Sequence, residues 1–332
     1  MRNFDNISRT KAYLHYYNKH KEIQWAFLAS QVSRNAGWNM CDLNGTWLPQ
    51  VVSQEKRQQI YLTYEKANWL IFQDAYPQLL LYEYSTKNNL PMFHLLKFFQ
   101  VSSFMEEEWN HYWKEKDKKR LMNSLIINEQ NVIHQPVMEN KRIKHHVFHY
   151  LPYLFQDLFH FNAVLFPTTQ GTLYGASVSN FTSLSARIKL GNTLASLLFK
   201  PNLYQEFYDF ARKNEHTGSR RDYEKYIYPN FANTTPILRA AYPVVRHQHI
   251  LRGDWFKKHI KKKWRNLSEQ KEPFHITDWY LRNSGSYMHL FVRKTNGLTN
   301  FCLILSKYKQ VIRICTFFAE SLLVLSTMQD SC

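Results

Sequence analysis

The stretch Val32 to Leu43, V-S-R-N-A-G-W-N-M-C-D-L, sets Arg34, Asn35, Trp38, Asn39 and Asp42 around Gly37. A guanidinium beside a carboxamide and a carboxylate can clamp an anion in a loop pocket. Arg34, Asn35 and Asp42 are therefore the candidate catalytic residues if the chain is an enzyme. The same residues also have a structural reading, in which Gly37 takes a left-handed helix cap and Asn39 or Asp42 bonds the orphan backbone groups of the next turn.

Metal ligation is the next chemistry to weigh. Glu108 with His111, and Asp157 with His160, have the carboxylate-x-x-His spacing that puts two ligands on one side of a helix, and His145 with His149 has the four-residue spacing of a shared metal. Di-iron bundles need two further inward carboxylates. The zinc protease pattern needs Glu after the first His, where this chain has His146. With 15 histidines and 26 acids, such pairs arise by chance, so Glu108, His111, His145 and His149 are weak metal candidates and no cofactor is expected. There is no G-x-S-x-G elbow. The glycine pair of Gly171-Thr-Leu-Tyr-Gly175 lacks the rest of a dinucleotide or Walker loop and reads as an ordinary connection.

Charge supplies the strongest binding signal. The chain carries a net +17, and its distribution is uneven: residues 1–166 hold 19 Lys and Arg against 15 acids, whereas residues 167–332 hold 24 against 11. The excess peaks between Arg246 and Arg265, where Asp254 is the only acid. If Asp254 caps a helix, Trp255, Phe256, Ile260 and Trp264 fall near one stripe and Lys257, Lys258, Lys261 and Lys262 surround it. Arg252, Lys257, Lys258, Lys261, Lys262 and Arg265 are thus the candidate polyanion-binding residues, for nucleic acid through phosphate neutralisation or for an acidic lipid surface. The solvated face of an ordinary packed helix has the same pattern. The best reading of function is a cytoplasmic binding protein for nucleic acid or another polyanion. The alternatives are a helical enzyme with a pocket near Arg34 and Asp42, and association with the inner membrane surface through this segment or the apolar tail.

Several features bound the elements that position these groups. Nine glycines in 332 residues and a single Asn-Gly pair leave few hairpin turns, while 44% hydrophobic residues supply a core, so the expected fold is mainly α, an irregular multi-helix bundle with little or no sheet. Four scattered cysteines with no CxxC pair suit free thiols in a reducing compartment. No apolar run opens the chain, and the window Ile314 to Met328 is too short to span a bilayer. Helices are expected from a Thr10 cap to about Tyr17, over Glu22 to Asn35, from a Ser53 cap to Ala75 with Pro77 breaking it, and from Pro91 to Phe99. Further helices are expected over Phe104 to about Ile127, partly over Glu139 to Phe161, from a Ser183 cap to Phe199, and over Leu203 to Lys213. The organisation reads as a near-neutral half at 1–161, a Gly, Ser and Thr-rich connection at 162–180, a basic half at 181–294 and an atypical apolar tail at 295–332, or as one continuous domain.

Ordered motifs give a resemblance. Asn6-Ile7-Ser8-Arg9-Thr10 with Ala12-Tyr13-Leu14, Trp25-Ala26, Val32-Ser33-Arg34-Asn35, Gly37-Trp38-Asn39-Met40 and Asp42-Leu43 resemble an uncharacterised Bacillus-type bacterial family, a YppC-like domain of unknown function. The stretches Ala241 to His247 and Trp279 to Ser284 extend it, to about residue 295. Cys41 stands where the family more usually has Thr. The resemblance implies a bacterial, cytoplasmic, mainly helical protein and transfers no activity. The segment from Thr295 to Cys332 does not resemble the family, and we read it as truncated, divergent or altered in frame. A genomic read past the stop codon with no family-like continuation in any frame refutes that reading.

Overall fold

The chain enters its first helix through a reciprocal cap. Asp5 accepts the Ser8 amide at 2.7 Å while the Ser8 hydroxyl accepts the Asp5 amide at 2.9 Å, so two orphan donors are satisfied and α1 runs Asn6–Lys19. The expected start at Thr10 is corrected: Thr10 is buried inside the helix and donates its hydroxyl to Ser33. Next comes α2, Gln24–Asn35. Its contacts Tyr17 with Phe27, Thr10 with Ser30 and Asn6 with Ser33 climb one helix as they descend the other, so the pair is antiparallel. Described by the structure, a computed structural model, are residues 2–35, 41–46, 48–148, 163–223, 235–242 and 278–282.

After the short α3, Leu48–Val51, Ser53 caps α4 as expected, but the helix continues through Pro77 and runs Gln54–Asn88. A proline inside a helix costs about 3 kcal/mol through one lost bond and a clash. Here the deprived carbonyl belongs to Gln73, an exposed residue. Burial of Phe72, Ala75, Tyr76, Leu79 and Tyr82 around the proline outweighs the loss, at roughly 1.5–3 kcal/mol for each large side chain. The expected helix from Pro91 arrives as a 3-10 turn, Phe93–Phe99. The single helix expected over Phe104 to Ile127 is two, α5 (Ser103–Glu115) and α6 (Lys118–Ile133). The break lies at Lys116, which takes a positive φ of 55°, and Asp117 then caps α6 through the Arg120 amide.

Beyond α6 the chain makes π turns at His134–Met138 and Lys144–Phe148 around the short α7, Lys141–Ile143. The stretch around Gly171 is more than a connection: β1 (Val164–Pro167) and β2 (Leu173–Ala176) pair antiparallel, with Leu165 opposite Gly175. A Cβ at Gly175 would lie 2.1 Å from the Val164 carbonyl oxygen, so glycine is required by the close pairing of the strands. This hairpin is the only sheet among the described residues, and the protein is mainly α. Ser183 caps α8 (Leu184–Leu198), followed by α9 (Tyr204–Lys213), α10 (Leu238–Ala241) and α11 (Trp279–Arg282).

Two apolar clusters share α4. The larger gathers Trp25, Phe27, Leu79, Trp109, Ile126, Phe166, Leu198 and Phe207, while the second holds Ile7, Cys41, Leu43, Ile60, Leu70 and Leu238. No described helix is long and apolar enough to cross a membrane.

Candidate functional site

Polar groups from both ends of the described chain meet where the α1–α2 hairpin touches the segment after α9. Arg34, in the last turn of α2, donates to the Ala211, Asn214 and Glu215 carbonyls at 3.3, 2.9 and 3.2 Å. These lie at and just beyond the carboxyl end of α9, where a cation complements the helix dipole and its unsatisfied carbonyls. Its guanidinium also stands 5.1 Å from the centre of the Phe210 ring.

His216 is the next residue along and is buried. Asn6 Nδ2 donates to the Ser33 carbonyl and hydroxyl at 2.7 and 3.1 Å, which leaves Asn6 Oδ1 as an acceptor. His216 Nε2, 2.6 Å from that oxygen, must therefore carry the proton. The Gly218 amide donates to Nδ1 at 3.3 Å, consistent with a lone pair there. Burial pushes His216 below its ordinary range; Asp222 pulls it up and Arg34 pushes it down again. Asp222 sits 3.5 Å from Nδ1 and accepts the Thr217 amide and hydroxyl at 2.9 and 2.6 Å. Burial raises Asp222, but the nearby His216 ring, the bonds from Thr217 and the Arg34 charge win, so it titrates below the usual carboxylate range. The result is a neutral imidazole facing a carboxylate, closed off by the turn at Gly218. That glycine has a φ of 78°, and a Cβ there would lie 2.6 Å from the Leu238 Cβ.

Asp42 reaches the same segment by ion pairing with Arg220, and its neighbour Cys41 is buried with its thiol pushed up by burial. Burial also raises Asp42, against the pull of Arg220. Arg239 ion-pairs with Asp5 at 3.1 Å, and one turn away Arg9 forks onto both oxygens of buried Glu65 at 2.7 Å. Asn35 differs from all of these. It is 1% exposed, and among the described residues neither its side-chain nitrogen nor its oxygen has a hydrogen-bond partner; one turn earlier on α2, buried Gln31 Nε2 is likewise without one. Each such buried group costs about 1–3 kcal/mol and calls for an explanation.

The structure thus brings Arg34 and Asp42 onto one segment, 214–222, and leaves Asn35, the residue after Arg34, with unmet hydrogen-bonding capacity among the described residues. Asn6, His216, Arg220 and Asp222 are absent from the sequence-based set. The signal for the last three is the same one that singled out Val32 to Leu43: H-T-G-S-R-R-D crowds polar side chains around one glycine.

The other candidates lie elsewhere. Glu108 accepts two bonds from Arg120, at 2.7 and 2.8 Å, and one from the Ser124 hydroxyl, while His111 is half-buried a turn on. His145 is exposed; His149, Asp157 and His160 lie outside the described residues. Among the described residues no three His, Cys, Asp or Glu side chains form a group able to hold a metal ion. Arg252, Lys257, Lys258, Lys261, Lys262 and Arg265, with the tail from Thr295, also lie outside the described residues.

The profile of a family described as protein of unknown function (DUF2515) matches residues 1–280. A relative described as uncharacterized protein YppC, from Bacillus subtilis (strain 168), is 47% identical over 292 residues, 88% of this chain and 91% of its own. The expected YppC-like resemblance is borne out. No solved structure matches.

Proposed function

Because the chain belongs to the DUF2515 family, whose description assigns no activity, we propose a function from geometry: it binds a small, polar, anionic ligand where the α1–α2 hairpin meets residues 214–222. The observation that carries this reading is the buried Asn35 carboxamide, a donor and an acceptor with no partner among the described residues, in the turn that also holds Arg34. Four arginines, Arg34, Arg220, Arg221 and Arg239, stand around this joint against Asp5, Asp42 and Asp222, which favours a negatively charged ligand.

The test is to denature purified protein and identify released small molecules by mass spectrometry, alongside thermal shifts with inorganic phosphate, adenosine monophosphate and citrate. Wild type should release or be stabilised by an anion. Asn35→Ala should abolish that effect while melting no lower, since it removes an unpaired buried amide. Should Asn35→Ala merely raise the melting temperature, with no ligand released by wild type and no shift from any probe, the amide is a structural liability and the reading fails.

A second reading is favoured by the concentration of positive charge in residues 167–332. In it the chain is a polyanion-binding protein that contacts nucleic acid through Arg252, Lys257, Lys258, Lys261, Lys262 and Arg265.

A further inference from the structure

Among the described residues, the strongly exposed large apolar side chains all fall in one short stretch: Leu80, Tyr84, Leu90, Phe98 and Phe99, from the carboxyl half of α4 through the 3-10 turn. Scattered apolar residues are normal on a surface, but this confinement marks a contact face. The turn is anchored on one side and open on the other. Phe93 and Leu96 are fully buried, whereas Phe98 is 73% and Phe99 49% exposed. Left-handed Asn89 ends α4, left-handed Gln100 ends the turn, and the Ser85 hydroxyl accepts the Met92 amide at 3.0 Å, so the pair of rings is held out on an ordered turn.

Charge identifies the occupant. From Leu80 to Gln100 the chain carries Lys87, Lys97 and His94 against a single acid, Glu83. Lys97 holds its ammonium 5.3 Å from the centre of the Phe98 ring, and Lys87 reaches back to Glu83 at 2.9 Å. Adjacent exposed aromatics rimmed by cations match the boundary of a bilayer, where rings enter among the acyl chains and lysines stay at phosphate level. We propose that this face docks on an anionic lipid surface, with Phe98 and Phe99 inserted and Lys97 and Lys87 against the headgroups. This surface involves none of the residues around Asn35, so the two proposals stand or fall separately.

The test is flotation of the full chain with phosphatidylcholine vesicles that contain or lack phosphatidylglycerol, at low salt. Wild type should float with the anionic vesicles. The double variant Phe98→Ser/Phe99→Ser should lose at least about ten-fold in partitioning, with unchanged circular dichroism and melting temperature because both rings face solvent. Lys97→Gln should weaken the preference for phosphatidylglycerol about five-fold. The proposal is overturned if wild type does not float, or if the serine variant floats as well as wild type. It is equally overturned if that variant converts a dimer into a monomer by light scattering while wild type ignores vesicles, which would make a second copy the occupant.

Discussion

Asp74 shows how burial can set a charge state against the hydrogen bonds around it. Its carboxylate accepts Gln78 Nε2 at 2.7 Å and Asn128 Nδ2 at 2.6 Å, and Asn128 in turn accepts the Ser102 hydroxyl and the Trp279 indole. Burial pushes Asp74 up to about 7, the two bonds pull it down and the Asp278 charge adds to the rise. Its folded value therefore lies above an unfolded value of about 3.9, and the unfolded chain binds fewer protons between the two. The contribution to stability is full below about pH 4 and is lost as pH rises toward 7. Asp74→Asn should thus be more stable than wild type by roughly 2 kcal/mol or more at pH 8, with the difference vanishing near pH 4. Urea unfolding across that range checks it, and a variant less stable at pH 8 sinks it. His216 has the opposite sign: its folded value is depressed, so its contribution is present above an unfolded value of about 6.5 and declines as pH falls below that. How much of this was legible follows from separation along the chain. Arg34 and Asp42 could be singled out because their stretch is visibly crowded, whereas the Asn6 to His216 bond joins residues 210 apart with no local pattern linking them.

Two helix starts set by a serine cap were legible, whereas the caps at Asp5 and Asp117 and the helix ends that packing decides were not. Ser53 and Ser183 each accept the amide three residues on, as their positions suggested. Pro77 and Lys116 read the wrong way because the deciding terms are tertiary: burial on both sides of Pro77 holds α4 together, and a left-handed lysine divides α5 from α6. Gly191 poses the same conflict within α8. By helix propensity, Gly191→Ala should stabilise by about 1 kcal/mol. A Cβ there, however, would lie 2.6 Å from the Ile126 Cγ2 on α6, and Ile126 is fully buried with little room to move. The expected outcome is destabilisation by about 1–3 kcal/mol, the usual range for overpacking. Gly191→Ala combined with Ile126→Val should recover part of it. Chemical denaturation of the three variants reads this directly, and a stabilised single variant would show that the α6–α8 contact yields more than its geometry suggests.

Over the whole molecule, charge and folded geometry point to different parts of the chain. The near-neutral first half supplies Asn6, Arg34 and Asp42 to the joint, and the basic second half supplies His216, Arg220, Asp222 and Arg239, so that joint belongs to both. The larger positive excess, between Arg246 and Arg265, was legible from composition alone, but composition cannot separate a phosphate-binding surface from a solvated one. Salt separates them. If the six candidate cations Arg252, Lys257, Lys258, Lys261, Lys262 and Arg265 neutralise phosphates, the affinity for duplex DNA should fall with log salt at a slope approaching about −5. That amounts to roughly a thousand-fold between about 50 and 200 mM. Replacing Lys257, Lys258, Lys261 and Lys262 by Gln should then reduce the slope by about 3 to 4, because each lost contact releases about one counterion fewer. Fluorescence anisotropy on the full chain measures both. An unchanged slope in the four-fold variant would assign the DNA contact to other cations, and no binding at the lowest salt would remove nucleic acid as a partner. Flotation on anionic vesicles by that same variant, at wild-type strength, would leave the Phe98–Phe99 face as the chain's anionic contact and confine the role of the basic segment to solvation.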